Sequence, residues 1–378
     1  MGGMGAMGKT EGKGQAAPRS TDGAMGSMGG SGKTEMAGMR DKPSKTPVAA
    51  TSRPLGQPLP LDWADYLTVM GHHQFIAQTG ERATFDAGGI DVFAAGPLDR
   101  NWSGLANPVF DTQNGGASVD QAYGQFISHW SDRFQSARFG QTLPFAILLN
   151  QGGPSMTLST PVVLAMSADT GTSWTPATLM RGLEIGAVNL PRWNVYLGAG
   201  QPHLEAPPTG SERNTDVYAS TEYLLGQNGN SVTLYGYSGR ARLPESAADR
   251  NFHRIGVFVN AYWPRSTEAA GMDYAPKTKA VLGYLAGRDK DDNNDSLKSS
   301  GYFLLGEHLL SDRLAAYARY DHARQDLTAG GSQTTRGPAL GASWWAQTQV
   351  RFTVEAQLLK TTGQRDNKVL MTEFMWVL

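Results

Sequence analysis

Cysteine is absent from the 378 residues. That removes disulfides, thiolate metal sites, a cysteine nucleophile and covalent attachment of c-type haem, and it suits passage through an oxidising periplasm. Charge is scarce: 18% of residues are Asp, Glu, Lys or Arg and the net charge is -1, so the basic stripe of a nucleic-acid binder is missing. No run of 18 strongly apolar residues occurs, which excludes a transmembrane helix. The long uncharged stretch from Gln141 to Ser167 is broken by Pro144, Gly152, Gly153, Pro154 and Pro161. The opening MGGMGAMGKTEGKG has no apolar core of a signal peptide, so an export reading expects the mature N-terminus here.

Glycine, by contrast, is abundant at 46, and Trp and Tyr together supply 22 aromatics with polar tips. Residues 1–60 are dominated by Gly, Met, Ser, Thr, Lys and Pro, with GKTE at 8–11 and again at 32–35. Such a composition cannot bury enough apolar surface to offset chain entropy, and a disordered tail is expected. Half of the 14 methionines lie in it. Thioethers can hold Cu(I), but no His or Cys accompanies them, and a flexible linker is the expectation.

From residue 61 onward one domain is expected, built of strand after strand: 66–78, 84–96, 99–110, 119–129, 133–141, 181–190, 192–200, 214–224, 230–239, 251–263, 275–288, 299–310, 313–323, 336–347, 349–361 and 367–377. Most have the length of a tilted membrane-spanning strand, about 9–11 residues. Short connections such as LPR at 190–192 and LSDR at 310–313 alternate with long polar ones at 239–250, 288–299 and 323–335. Tight turns at one end and long loops at the other are the pattern of membrane β-barrels. Asp-Arg recurs at 99–100, 132–133 and 312–313, always at a short turn, where Asp accepts local backbone bonds.

The strand faces agree. Val350, Phe352, Val354, Ala356 and Leu358 interleave with Arg351, Thr353, Glu355 and Gln357, so one face is apolar and the other polar. Ile255, Val257, Val259, Ala261 and Trp263 likewise oppose Arg254, Gly256, Phe258, Asn260 and Tyr262. Trp130, Trp193, Trp263, Trp344 and Trp376 stand near strand ends, where an interfacial girdle belongs. A soluble propeller would carry a blade repeat of about 40–50 residues, and none is found. The expected fold is therefore an all-β transmembrane antiparallel barrel of about sixteen strands.

The runs FDAGGIDVFAAGPLDRNWSG, VDQAYGQFISHWSDRFQSARFGQTLPF and LLSDRLAAYARYD resemble a family of porin-like outer-membrane barrels of the kind found beside multihaem cytochromes. The resemblance spans residues 66–378 and departs from the family at the end: FMWVL closes on Leu378 where such barrels usually close on an aromatic. It implies a Gram-negative outer-membrane location, contact with lipid, and one of two roles. The first is a passive, weakly selective pore for small solutes or ions. The second is a structural sheath that holds a periplasmic or lumenal multihaem cytochrome for electron transfer, with all haem in that partner.

The candidate pore-lining residues are Arg138, Glu222, Arg254, Arg319, Asp321, Arg351 and Glu355. Arg138 falls at the family's Arg-Phe position and could line a constriction, or be one solvated charge among many. The others carry mixed sign, which predicts little ion selectivity, and salt-bridged pairs between neighbouring strands are the alternative. Residues 142–180 are too long and too Pro-broken for one strand pair. They either fold into the lumen as a constriction or form an extra hairpin, which would raise the count to eighteen strands. The loop from Asp289 resembles a calcium-binding loop at its first, third and fifth positions, but Asn294 and Ser300 stand where Gly and Glu belong. His72 and His73 point to opposite faces, and His129, His253, His308 and His322 lie on separate strands. No metal ligand set, cofactor, catalytic residue or enzymatic activity is expected from them.

Overall fold

A computed structural model describes residues 67–99, 101–111, 116–128, 134–150, 157–166, 174–190, 192–202, 212–213, 215–226, 229–242, 250–264, 276–290, 296–347 and 349–378. The Gly/Met-rich segment 1–60, Trp130 and the acidic run 291–295 lie outside these residues. The first strands are β1 (Leu67–Gln78), β2 (Thr84–Pro97), β3 (Trp102–Asp111), β4 (Gly116–Ser128) and β5 (Phe134–Thr142). After two short helices, α1 (Phe145–Asn150) and α2 (Val162–Ala165), come β6 (Met180–Leu190), β7 (Trp193–Pro202), β8 (Glu212–Arg213), β9 (Asp216–Leu224) and β10 (Ser231–Arg242). The remainder are β11 (Arg250–Pro264), β12 (Pro276–Lys290), β13 (Ser296–Ser311), β14 (Leu314–Asp326), β15 (Ser332–Gln347), β16 (Val350–Thr361) and β17 (Asn367–Val377).

Each strand pairs antiparallel with its neighbours in sequence, and β1 pairs with both β2 and β17, which closes the sheet on itself. The two-residue β8 and the longer β9 both pair with β10, so they are two pieces of one stave. The barrel has sixteen staves. Closure leaves no sheet edge, the condition for a sheet in lipid. Main-chain bonds between Val69 and Leu378, in both directions, complete the seam.

The outer face is apolar. Ile255 is 70% exposed and Leu183, Leu197, Leu234, Leu304 and Leu340 are each at least half exposed, on a closed surface where a water-soluble protein would place charge. These side chains meet lipid. Trp102, Trp193, Trp263, Trp344 and Trp376 all point outward, at or near the short-turn ends of β3, β7, β11, β15 and β17. They stand with other rings, as in Trp102 against Phe126 at 5.0 Å and Trp193 against Tyr223 at 4.7 Å. Amphipathic rings at one height form the girdle of a membrane–water interface. Gly71 exists for this girdle, because a Cβ there would run into the Trp376 indole.

Two turn readings divide. At the first Asp-Arg turn Asp99 accepts from the backbone N–H of Asn101 at 2.7 Å and of Trp102 at 2.8 Å, as its chemistry predicts. At 312–313 Ser311 takes the Arg313 N–H at 3.3 Å. The connection expected to be long at 323–335 is a tight turn, because β14 runs to Asp326 and β15 starts at Ser332. Gly330 and Gly331, at φ +88° and +86°, make that reversal without strain.

Candidate functional site

The described parts of the segment 142–180, namely 142–150, 157–166 and 174–180, lie inside the barrel. The described parts hold α1 and α2 and no strand, which corrects the eighteen-strand alternative. Pro144, Pro161 and Pro176 offer no N–H to a ladder, and the apolar side chains between them find an interior core instead. Ala146, Ile147, Val163, Leu164 and Trp174 are buried against Tyr218, Tyr235, Tyr237, Phe252, Phe258 and Phe303, which project inward from β9, β10, β11 and β13. The Trp174 ring lies 4.5 Å from Tyr237 and 4.9 Å from Phe252. Opposite these rings the wall carries glycine: a Cβ on Gly198, Gly283 or Gly341 would collide with Tyr218, Phe303 or Tyr317. The rings lie flat against the wall because the neighbouring stave has no side chain there.

Polar anchors tie the segment to both sides of the interior. At its start, Glu184 on β6 accepts the Phe145 N–H at 3.0 Å and pairs with Arg138 on β5, whose Nε donates at 3.0 Å. The Arg138 guanidinium also stacks over Phe145, 5.3 Å from its centroid. The α1 end is held by Asn260 on β11, which donates to Asn150 Oδ1 at 2.6 Å. Across the lumen, Ser159 joins two staves: Arg319 on β14 donates to its hydroxyl at 2.7 Å, and that hydroxyl bonds the Glu355 carboxylate on β16. Glu355 also takes the Leu158 N–H at 2.8 Å and the Tyr317 hydroxyl at 2.7 Å. The Val162 N–H reaches Asp321 at 3.2 Å.

All seven candidate residues face inward as partners rather than as free charges, six of them buried and Arg351 half-buried. Arg138 pairs with Glu184, and Arg254 binds Asp289 through two bonds of 2.6 and 3.0 Å. Arg319 pairs with Asp321 at 2.8 Å, two residues on along the same face, and Arg351 with Glu373 at 2.8 Å. Lys279 stands 3.8 Å from Glu307, and His72 3.1 Å from Asp91, the latter an ion pair only when the imidazole is protonated. Glu222 accepts from Asn194 Nδ2 at 2.8 Å. As partners, Glu184, Asp289, Glu373, Ser159 and Trp174 went unread, Asp289 having been named only as the first position of a calcium-type loop. The first and third were findable: counting residues inward from adjacent turns sets Glu184 opposite Arg138 and puts Glu373 on the inner face beside Arg351. Ser159 and Trp174 carried no signal, since their partners are set only when the segment enters the barrel. Among the described residues no three His, Asp or Glu side chains gather as a metal site requires.

No protein-family model and no curated protein sequence matches the chain. Solved structures do. An anion-selective porin from Comamonas acidovorans matches with a TM-score of 0.61 at 11% identity, over 82% of this chain and 98% of that one. OmpF of Salmonella typhi gives 0.60 at 9%, over 82% and 97%. OmpT, an outer membrane protein of Vibrio cholerae, gives 0.59 at 12%, over 82% and 96%. The last match corrects one expectation. The separated histidines pointed away from enzymatic activity, yet a likeness to OmpT at 12% identity fixes the barrel alone. Chemistry resides in side chains placed on a fold, so the absence of an activity is not carried forward. What the likeness and the apolar outer belt do establish is the architecture and its place: the chain is a closed sixteen-stave antiparallel β-barrel of the bacterial outer membrane.

Proposed function

We propose that the chain is a passive channel through which small solutes or ions cross the outer membrane with weak selectivity. The observation that supports this most is the segment 142–180, laid across the interior and anchored at Glu184 on one side and at Arg319, Asp321 and Glu355 on the other. A barrel that grips a haem protein in its lumen needs that space free. A pore needs it narrowed. In this reading Arg138, Glu222, Arg254, Arg319, Asp321, Arg351 and Glu355 line the passage, and pairing cancels most of their charge, which keeps selectivity weak. The test is single-channel recording of the purified, refolded full chain in a planar bilayer, with no haem protein present. Discrete conductance steps are expected. A silent bilayer, from protein whose heat-modifiable gel migration proves it folded, would sink the channel.

A further inference from the structure

Glu222 differs from the other charges of the inner wall. Glu355 also lacks a basic partner, but neutral donors from Ser159, Leu158 and Tyr317 occupy both its oxygens. Glu222 has Asn194 on Oε2 alone. Among the described residues no Lys, Arg or His reaches it at ion-pair distance, and its second oxygen is left to the lumen. On the next stave Thr233 stands directly opposite Glu222. Its hydroxyl is buried, with the residue 1% exposed, and has no hydrogen-bond partner. One inward position away, Asn260 faces Ser231 across the β10–β11 ladder, and its Oδ1 is likewise buried and unbonded. A carboxylate, a hydroxyl and an amide carbonyl on one patch of wall are hard oxygen donors of the kind a hard cation takes in exchange for its water.

We propose that the lumen passes cations in preference to anions, and that Glu222, with Thr233 and Asn260, is the oxygen-lined step that sets this preference. The inference rests on the channel reading and names the class of solute for it. The anion selectivity in the description of the Comamonas acidovorans porin does not transfer at 11% identity, so the sign of the preference belongs to this chain's own wall.

The experiment is the reversal potential of the refolded full chain in a planar bilayer under a gradient of potassium chloride, at low ionic strength where screening is least. The native channel is expected to reverse at a potential of the sign that potassium permeation sets. Glu222→Gln keeps the bond to Asn194 and removes the charge. It is expected to lower the potassium-to-chloride permeability ratio about fivefold, since one unit charge acting across about 8 Å of water shifts each ion about twofold and in opposite directions. Thr233→Val, which alters no charge, is expected to lose conductance without moving the reversal potential. A chloride-preferring native channel overturns the proposal, and so does an unchanged ratio in a folded Glu222→Gln channel. An unchanged conductance in Thr233→Val removes the oxygen-lined step. Absence of any steps from folded native protein overturns the channel reading itself, a result distinct from all of these.

Discussion

The two halves of the barrel interior obey different rules. From β9 to β13 the inner wall presents Tyr218, Tyr235, Tyr237, Phe252, Phe258, Phe303 and Leu305, all buried, set among polar side chains such as Glu222, Thr233, Arg254 and Lys279, so those staves are apolar outside and mixed inside. From β15 through the seam to β4 it presents Ser343, Thr353, Gln357, Glu373, Gln74, Asn107 and Gln121, and apolar-out, polar-in alternation holds. The difference follows from what each half touches. One half carries the segment 142–180 and needs a core to hold it. The other meets the segment at Glu355 on β16 and otherwise keeps the polar inner face usual in membrane barrels. The wall is thus a membrane surface outside everywhere and, where the rings stand, in part a packed core inside.

The sharpest way to break that division is to cut the anchor between the halves. Arg319→Ala strands Asp321, whose side chain is fully buried, and removes the donor to Ser159. Breaking a buried pair this way costs about 3–5 kcal/mol. The urea midpoint of the refolded barrel should fall accordingly, and single-channel steps should grow larger and noisier as the segment loosens. Trp174→Ala tests the packed half alone. It leaves a cavity against Tyr237 and Phe252 at a cost of roughly 3 kcal/mol, read from the same urea midpoint. It should also raise conductance, since Trp174 holds the returning limb of the segment. Thr353→Val tests the polar half. It removes the 2.9 Å bond to Ser343 and leaves one hydroxyl unmatched, worth about 1 kcal/mol, with step size unchanged. A Thr353→Val midpoint shift as large as that of Trp174→Ala would show that the halves do not differ in kind.

The same division governs what could be read in advance. On β16 alternation alone assigns every side chain to lipid or interior, and Phe352, Val354, Thr353 and Glu355 fall on the expected sides. Stave number and order followed from turn spacing. Boundaries slipped chiefly at the long-loop ends: β4 begins at Gly116, β13 at Ser296 and β15 at Ser332, and β10 extends to Arg242. Beyond the bilayer the outer face meets water, so the apolar half of the signal disappears while the ladder continues. The candidate site was legible as a set of inward charges and one anomalous segment. Which carboxylate each arginine takes depends on strand register, and which hydroxyl bridges β14 to β16 depends on a segment with no periodicity to betray its path.

Ser159 also says something about time. The residues it binds, Arg319 and Glu355, come 160 and 196 positions later in the chain. Ser159 therefore has no place to rest until ten of the sixteen staves, β6 to β16, have followed it, and ordering so distant a contact is entropically slow. Until then the ring-lined inner faces of β9 to β13 are bare, although they are destined for neither lipid nor water. A chain of this design must keep that surface from sticking to itself while the barrel is still an open sheet, and it must have the segment within the ring before β1 and β17 meet. The last bond to form around the wall seals in a part made near the beginning.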